Sequence, residues 1–274
     1  MTDTTPKKSS KRIIKETVEK KPKLMHRNLD LFEDTIETQL FNLPNHRKGG
    51  FANASMVAGL IPWFEPNKKM VVRDGDTPAK LLDADPIYFE VDDLQCSIVR
   101  RAAVITLRHG KNKGQKVVRF PSEREFDVLE ALMLIGTHET GAIGAYQGQS
   151  SVRFTLTIVR RHLKNKYNND EIQEALDVLG GAKHTLRIKS EDRLIEMPDS
   201  ILPITISGDQ VTGESMELNL ETATHLVVLH PLITSAISNL DMHQVHSSAV
   251  IESNSLLVRY LRKRLALRWT QASP

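Results

Sequence analysis

Arg160, Arg161, Lys164 and Lys166 place four cations within seven residues, and Arg259, Arg262, Lys263, Arg264 and Arg268 place five more within ten, with no acid among them. Side chains of this kind at this density answer to phosphate oxyanions, because each phosphate they neutralise releases condensed counterions. Arg153, Lys183, Arg187 and Lys189 extend the set. Asn168 and Asn169 add amides able to bond phosphates or base edges. These residues are the candidate nucleic-acid contacts.

Catalytic constellations are harder to find. No Gly-x-x-x-x-Gly-Lys-Ser/Thr loop is present, and Gly136, Gly141, Gly144 and Gly148 read as a flexible connection, not a phosphate cradle. His243 and His246 stand at i,i+3 without a third metal ligand nearby. A two-histidine nicking site would need a His-apolar-His strand with a tyrosine, and Tyr260 has no such partner. His225 and His230 bracket an apolar strand and read as structural. Cys96 is the single cysteine, so it cannot form an internal bridge, and no neighbour would activate it. The expectation is no enzymatic activity, no cofactor and no metal.

The formal charge of +3 hides a segregation. Residues 1–27 hold nine basic against three acidic side chains and residues 259–274 hold five against none, whereas 28–258 hold twenty-three against thirty-one. Cationic ends flank an acidic body. The first 27 residues, rich in Ser, Thr and Lys, read as a disordered basic arm, either a phosphate-contacting tail or a solvated leader. No apolar run approaches the ~20 residues of a membrane span, and no secretory leader is visible, so a reducing cytoplasm is expected.

Certain elements must position the cations. Short β-branched runs at 87–91, 98–100, 103–107 and 115–120 predict strands divided by turns. Ser122-Glu123-Arg124-Glu125 is a capping box and predicts a helix start, with Phe126, Leu129, Leu132 and Met133 at helical spacing to about Ile135. Alternation over Val152–Leu156 predicts a strand. A helix from about Thr157 to Lys164 would bury Ile158, Val159, His162 and Leu163 and leave Arg160, Arg161 and Lys164 outside. A second helix, capped by Asn169, would bury Ile172, Ala175, Leu176 and Leu179 and end at Gly180-Gly181. Strands follow at 185–189, 204–206, 216–220 and 226–229. The order of helix, strand, helix, turn, helix and hairpin is that of a winged helix-turn-helix within an α+β fold carrying an extended antiparallel sheet. In the last segment Leu257, Leu261, Leu265 and Trp269 recur every four residues. That pattern predicts an amphipathic helix with buried leucines, whose cationic face would answer either to the acidic body or to a phosphate backbone, with DNA the expectation.

The stretches Phe154–Leu163 and Asn168–Leu179 resemble the central helices of TrfA-type plasmid replication initiators. Phe51–Val57 is similar to that family's short segment before its strands, Leu226–Leu229 to its late apolar strand, and Leu256–Trp269 to the helix opening its second domain. The resemblance spans roughly 50–270 and rests on spacing and residue type. It implies paired winged helices that bind repeats in double-stranded DNA at a plasmid replication origin, a homodimer that exchanges with monomer, and host helicase or initiator partners. The division it implies is a winged-helix domain over 28–240, then a linker and basic helix over 241–274 that would begin a second winged helix. Two departures stand out. The chain stops at Pro274, short of a second reading helix. The expected reading helix also carries Asp170, Glu171, Glu174 and Asp177, acids that resist DNA. A winged-helix transcription regulator and a dimerisation module without DNA binding are the alternatives.

Overall fold

The β-branched runs and helix starts named above that fall within the described residues all become regular elements. The computed structural model describes residues 52–65, 70–72, 82–91, 94–139, 142–189, 194–207, 224–238, 242–245, 251–252 and 255–269, all within one unit spanning 32–274. The chain runs through β1 (Ala52–Ser55), α1 (Met56–Leu60), β2 (Met70–Val72), β3 (Ile87–Val91), β4 (Leu94–Arg101), β5 (Ala103–Thr106) and β6 (Lys116–Arg119). Helix α2 (Glu123–His138) leads to β7 (Ile143–Tyr146), β8 (Gln149–Thr155), α3 (Leu156–His162) and α4 (Asn169–Gly181). The remainder is β9 (Lys183–Lys189), β10 (Leu194–Asp199), β11 (Ile204–Ser207), β12 (Thr224–Val228), α5 (Pro231–Ser238), β13 (Met242–Val245) and α6 (Leu256–Trp269). The basic arm and the strand expected at 216–220 lie outside the described residues.

Helices and antiparallel sheets mix, which makes the fold α+β. The sheets are β10-β9-β4-β3, β11-β12-β8-β7, β2-β6-β5 and the pair β1-β13. The hairpin β9–β10 does follow α4, but its inner edge pairs with β4, while β8 before α3 pairs with β7 and β12. Inward residues on β4 and β9 face one another, Cys96 opposite Ile188, Ile98 opposite Leu186, and Arg100 opposite His184. Arg100 is buried there because Glu65 takes its guanidinium at 2.5 Å and the Phe64 carbonyl accepts a second hydrogen bond at 3.2 Å.

The glycines of the 136–148 region do different work from the loop expected of them. Helix α2 runs through Gly136, and the chain returns as a two-residue hairpin whose central Gln147 and Gly148 both have positive φ, 51° and 77°. That is the twist-matched turn that joins two strands without splaying them. At the end of α4, Gly181 is not a left-handed cap either. A Cβ there would stand 3.1 Å from the Ala103 side chain, so a glycine lets the helix end close against β5.

The main core joins α2 (Val128, Leu132, Ile135), α3 (Leu156, Val159), α4 (Ile172, Ala175, Leu176, Leu179) and the strands Val152, Leu186 and Val227. Among the described residues, no helix is long and apolar enough to cross a membrane. Two histidines belong to this interior. His184 packs edge-on to Trp63, and His230, tilted against the same indole, accepts the Leu232 amide at its Nδ1, 3.1 Å away.

Burial depresses both imidazoles, His184 to about 3 and His230 to about 4, from the free value of 6.5. The folded chain keeps them neutral where the unfolded chain takes up protons. Stability is therefore full above pH 6.5 and is lost as pH falls from 6.5 toward 4, by about 1.4 kcal/mol per pH unit for each histidine. Thermal unfolding followed between pH 7.5 and 5 should show a falling melting temperature, with a shallower slope in His230→Gln. A melting temperature flat across that range would contradict this account.

Candidate nucleic-acid interface

The strand-to-helix junction at Thr155 sets the geometry of the basic face. Its hydroxyl accepts the Ile158 amide at 3.2 Å and starts α3, whose Leu156 and Val159, with Leu163 after it, are buried. Helical spacing then leaves Arg160 and Arg161 exposed, as expected. Neither has a carboxylate partner among the described residues. Lys164 and Asn165 adopt positive φ and stop the helix. Lys164 is exposed but pairs with Glu252 at 2.5 Å. Lys166, expected among the phosphate contacts, is instead drawn back onto α2, where Asp127 (2.9 Å) and Glu123 (3.1 Å) hold its ammonium.

Helix α4 begins one residue earlier than expected. Asn168 is the cap. Its Oδ1 accepts the Glu171 amide at 2.8 Å and its own N–H reaches the Glu171 carboxylate at 2.8 Å, because the spacing places Glu171, not Ile172, at the third helical position. Asn169 becomes the first helical residue. The helix is poorly suited to lie in a groove, since the β5–β6 hairpin covers it: Val178 and Ala182 pack with Ala103, Ile105, Leu107 and Val117. Its acids have internal partners. Glu174, buried, accepts the Arg108 amide (2.6 Å), His109 Nδ1 (2.9 Å) and Arg124 Nη1 (3.1 Å), and Asp177 takes the Arg108 guanidinium at 3.0 Å. These amide and cation contacts hold the Glu174 carboxyl below its usual range against the opposing effect of burial.

Lys183, Arg187 and Lys189 alternate along the exposed face of β9. Lys183 donates to the Ser200 hydroxyl at 2.8 Å, and Arg187 pairs with Glu196 on β10 at 2.7 Å, each side chain about half exposed. Arg153 is only half exposed on β8, opposite Leu226 of β12.

The C-terminal helix is the largest correction. Leu256, Arg259 and Lys263 face inward, and Leu257, Val258, Leu261 and Leu265 face solvent, the leucines 47–64% exposed. With ~100° between successive residues, the two sets lie on nearly opposite sides of the helix, so the expected face is reversed. Arg259, 2% exposed, pairs with Asp127 and with Glu123 at 3.2 Å, and Lys263 pairs with Glu130 while lying over the Phe126 ring. Tyr260 donates to the Leu60 carbonyl at 2.8 Å. Carboxylates left unpaired on a buried helix face cost several kcal/mol each, more than the ~1.5–3 kcal/mol lost by exposing a leucine, so the ion pairs decide the orientation. Arg259 and Lys263 therefore leave the candidate interface, Arg262 stays exposed, and Arg264 is half-buried 6.0 Å from the Tyr260 ring. The side chains of Arg268 and Trp269 lie outside the described residues.

A further basic element, the β5–β6 turn, is absent from the set expected on sequence, where it stands only as one of the turns dividing the strands. Arg108, Lys111, Lys113 and Lys116 are exposed there, and the signal that could have found it is four cations between 108 and 116 with no acid among them. No group of three or more His, Cys, Asp or Glu able to hold a metal occurs among the described residues.

Replacing Arg259 with Met leaves Asp127 buried without its guanidinium and should cost about 3–5 kcal/mol, with Lys263→Gln acting in the same direction. Arg262→Gln should stay within about 0.5 kcal/mol of the parent. Denaturant unfolding of the three variants tests the assignment, and equal stabilities would show that the inward pairs carry no weight.

No protein-family model and no curated protein matches the chain. A solved structure of domains 2 and 3 of RctB superposes on 68% of it with a TM-score of 0.43 and 12% sequence identity. The match spans 64% of that two-domain chain, and a likeness this distant assigns neither fold family nor function.

Proposed function

We propose that the chain is a DNA-binding replication initiator, or the association half of one, contacting the duplex backbone without enzymatic activity. The observation that carries this reading is the pair Arg160 and Arg161, held outward on α3, which follows the β7–β8 hairpin and is joined by a short turn to α4. The exposed cations of β9 add a second basic face. Contact of this type is made to phosphates and is largely indifferent to sequence. The resemblance to TrfA-type initiators supplies the origin repeats, the dimer and the host replication partners of the proposal.

A second reading has an observation of its own. Helix α4 is covered, and α6 presents Leu257, Leu261 and Leu265 to solvent, which favours a module that associates through protein contacts.

Arg160→Ala with Arg161→Ala should weaken binding alike to adjacent repeat DNA and to random duplex, and should lower the salt slope by about two, one for each phosphate no longer neutralised. Unchanged affinity at moderate salt would remove α3 from the interface. Initiation is tested by asking whether the gene in trans maintains a plasmid carrying only its adjacent repeats. Failure there, together with a dimer in sedimentation, would favour the association module.

A further inference from the structure

The turn between β5 and β6 does more than cover α4. Its backbone closes at Leu107 and Gln115, where the Leu107 amide donates to the Gln115 carbonyl at 3.0 Å and the Gly114 amide to the Leu107 carbonyl at 2.8 Å. Arg108 and His109 then tie it to the acids of α4. Beneath it lies a cleft of about 530 Å³, large enough for a phosphate group and its waters.

Three cations line this cleft, Lys111, Arg119 and Arg124, together with Glu171 and Glu174. Both carboxylates are already committed: Glu174 to Arg108, His109 and Arg124, and Glu171 to Asn168 and, at 3.5 Å, to His109. Glu125, behind the wall, is shared by Arg119 (3.4 Å) and Arg124 (3.2 Å). The guanidiniums have hydrogens left over. Arg124 has a side chain only 7% exposed, and its Nη2 has no hydrogen-bond partner. A buried charged donor left unpaired is costly, and an anion in the adjacent cleft would offset that cost through its field. Outside the cleft, Arg108, Lys113 and Lys116 add positive charge with no acid on the turn.

We propose that this cleft binds a phosphate group of a nucleic-acid backbone, received by Lys111 and Arg119, with the charge of Arg124 in the wall behind them. A planar guanidinium and a mobile ammonium suit a phosphate's several acceptor oxygens. The identity of the ligand as a backbone phosphate rests on the DNA-binding reading above; the cleft's affinity for the oxyanion does not.

The test uses the full chain, titrated calorimetrically with inorganic phosphate and with a random-sequence duplex. Arg124 and Arg119 are tied into buried pairs whose loss threatens folding, so the probe is the exposed Lys111→Gln, compared with the Arg160→Ala, Arg161→Ala double variant. Lys111→Gln should weaken both inorganic phosphate and duplex by about five-fold, while the α3 variant weakens the duplex alone. Phosphate binding without duplex binding would uphold the oxyanion site, assign it to free phosphate and overturn the nucleic-acid ligand. Duplex binding that depends on α3 but is unmoved by Lys111→Gln, with no phosphate binding, would keep the DNA-binding reading and overturn the cleft.

Discussion

Glu123, Asp127 and Glu130 stand at i, i+4 and i+7 on α2, one face of a helix whose other faces are already committed to the apolar core. Asp127 is fully buried and Glu130 nearly so. Burial pushes the Asp127 carboxyl up, while Lys166, Arg259 and the Tyr167 hydroxyl pull it back. Two separate parts of the chain converge on this face: the turn after α3 through Lys166 and Tyr167, and α6 through Arg259 and Lys263. The neighbouring Glu125 gathers Arg119 from β6 and Arg124, and Arg124 in turn reaches Glu174 on α4. Charge pairing thus fixes where elements sit, and apolar contacts fill the space between them.

That division explains which features could be read in advance. The Ser122 box, the Ile172, Ala175, Leu176 and Leu179 stripe and the outward Arg160 and Arg161 depend on spacing within one helix, and local spacing is what a sequence displays. The orientation of α6 depends on carboxylates some 130 positions away, invisible to any local pattern. Hydropathy favoured the leucines as the buried side, and long-range pairing overrode it.

The pairing of strands was hidden for a similar reason. The strand at 185–189 could be expected from its β-branched run, yet its partner β10 carried no such signal, and nothing near 183–199 indicates that β4 rather than β8 would take the inner edge. The acids of α4 were legible as residues unsuited to DNA, but their partners Arg108 and His109 lie over sixty residues earlier. Helix α2, the pair α3–α4 and the strand after them come in the expected order, but two strands, not one, separate α2 from α3, and the sheets are assembled differently from the expectation.

The distance along the chain between Asp127 and Arg259 also bears on how the molecule is made. Contacts separated by 132 and 133 residues close a long loop, which is slow because chain entropy is lost before any contact repays it. During synthesis α2 emerges well before α6, so its acidic face has no counter-charge from α6 until the ribosome has passed residue 263. Docking of α6 on these acids therefore comes only after some 130 further residues have been made.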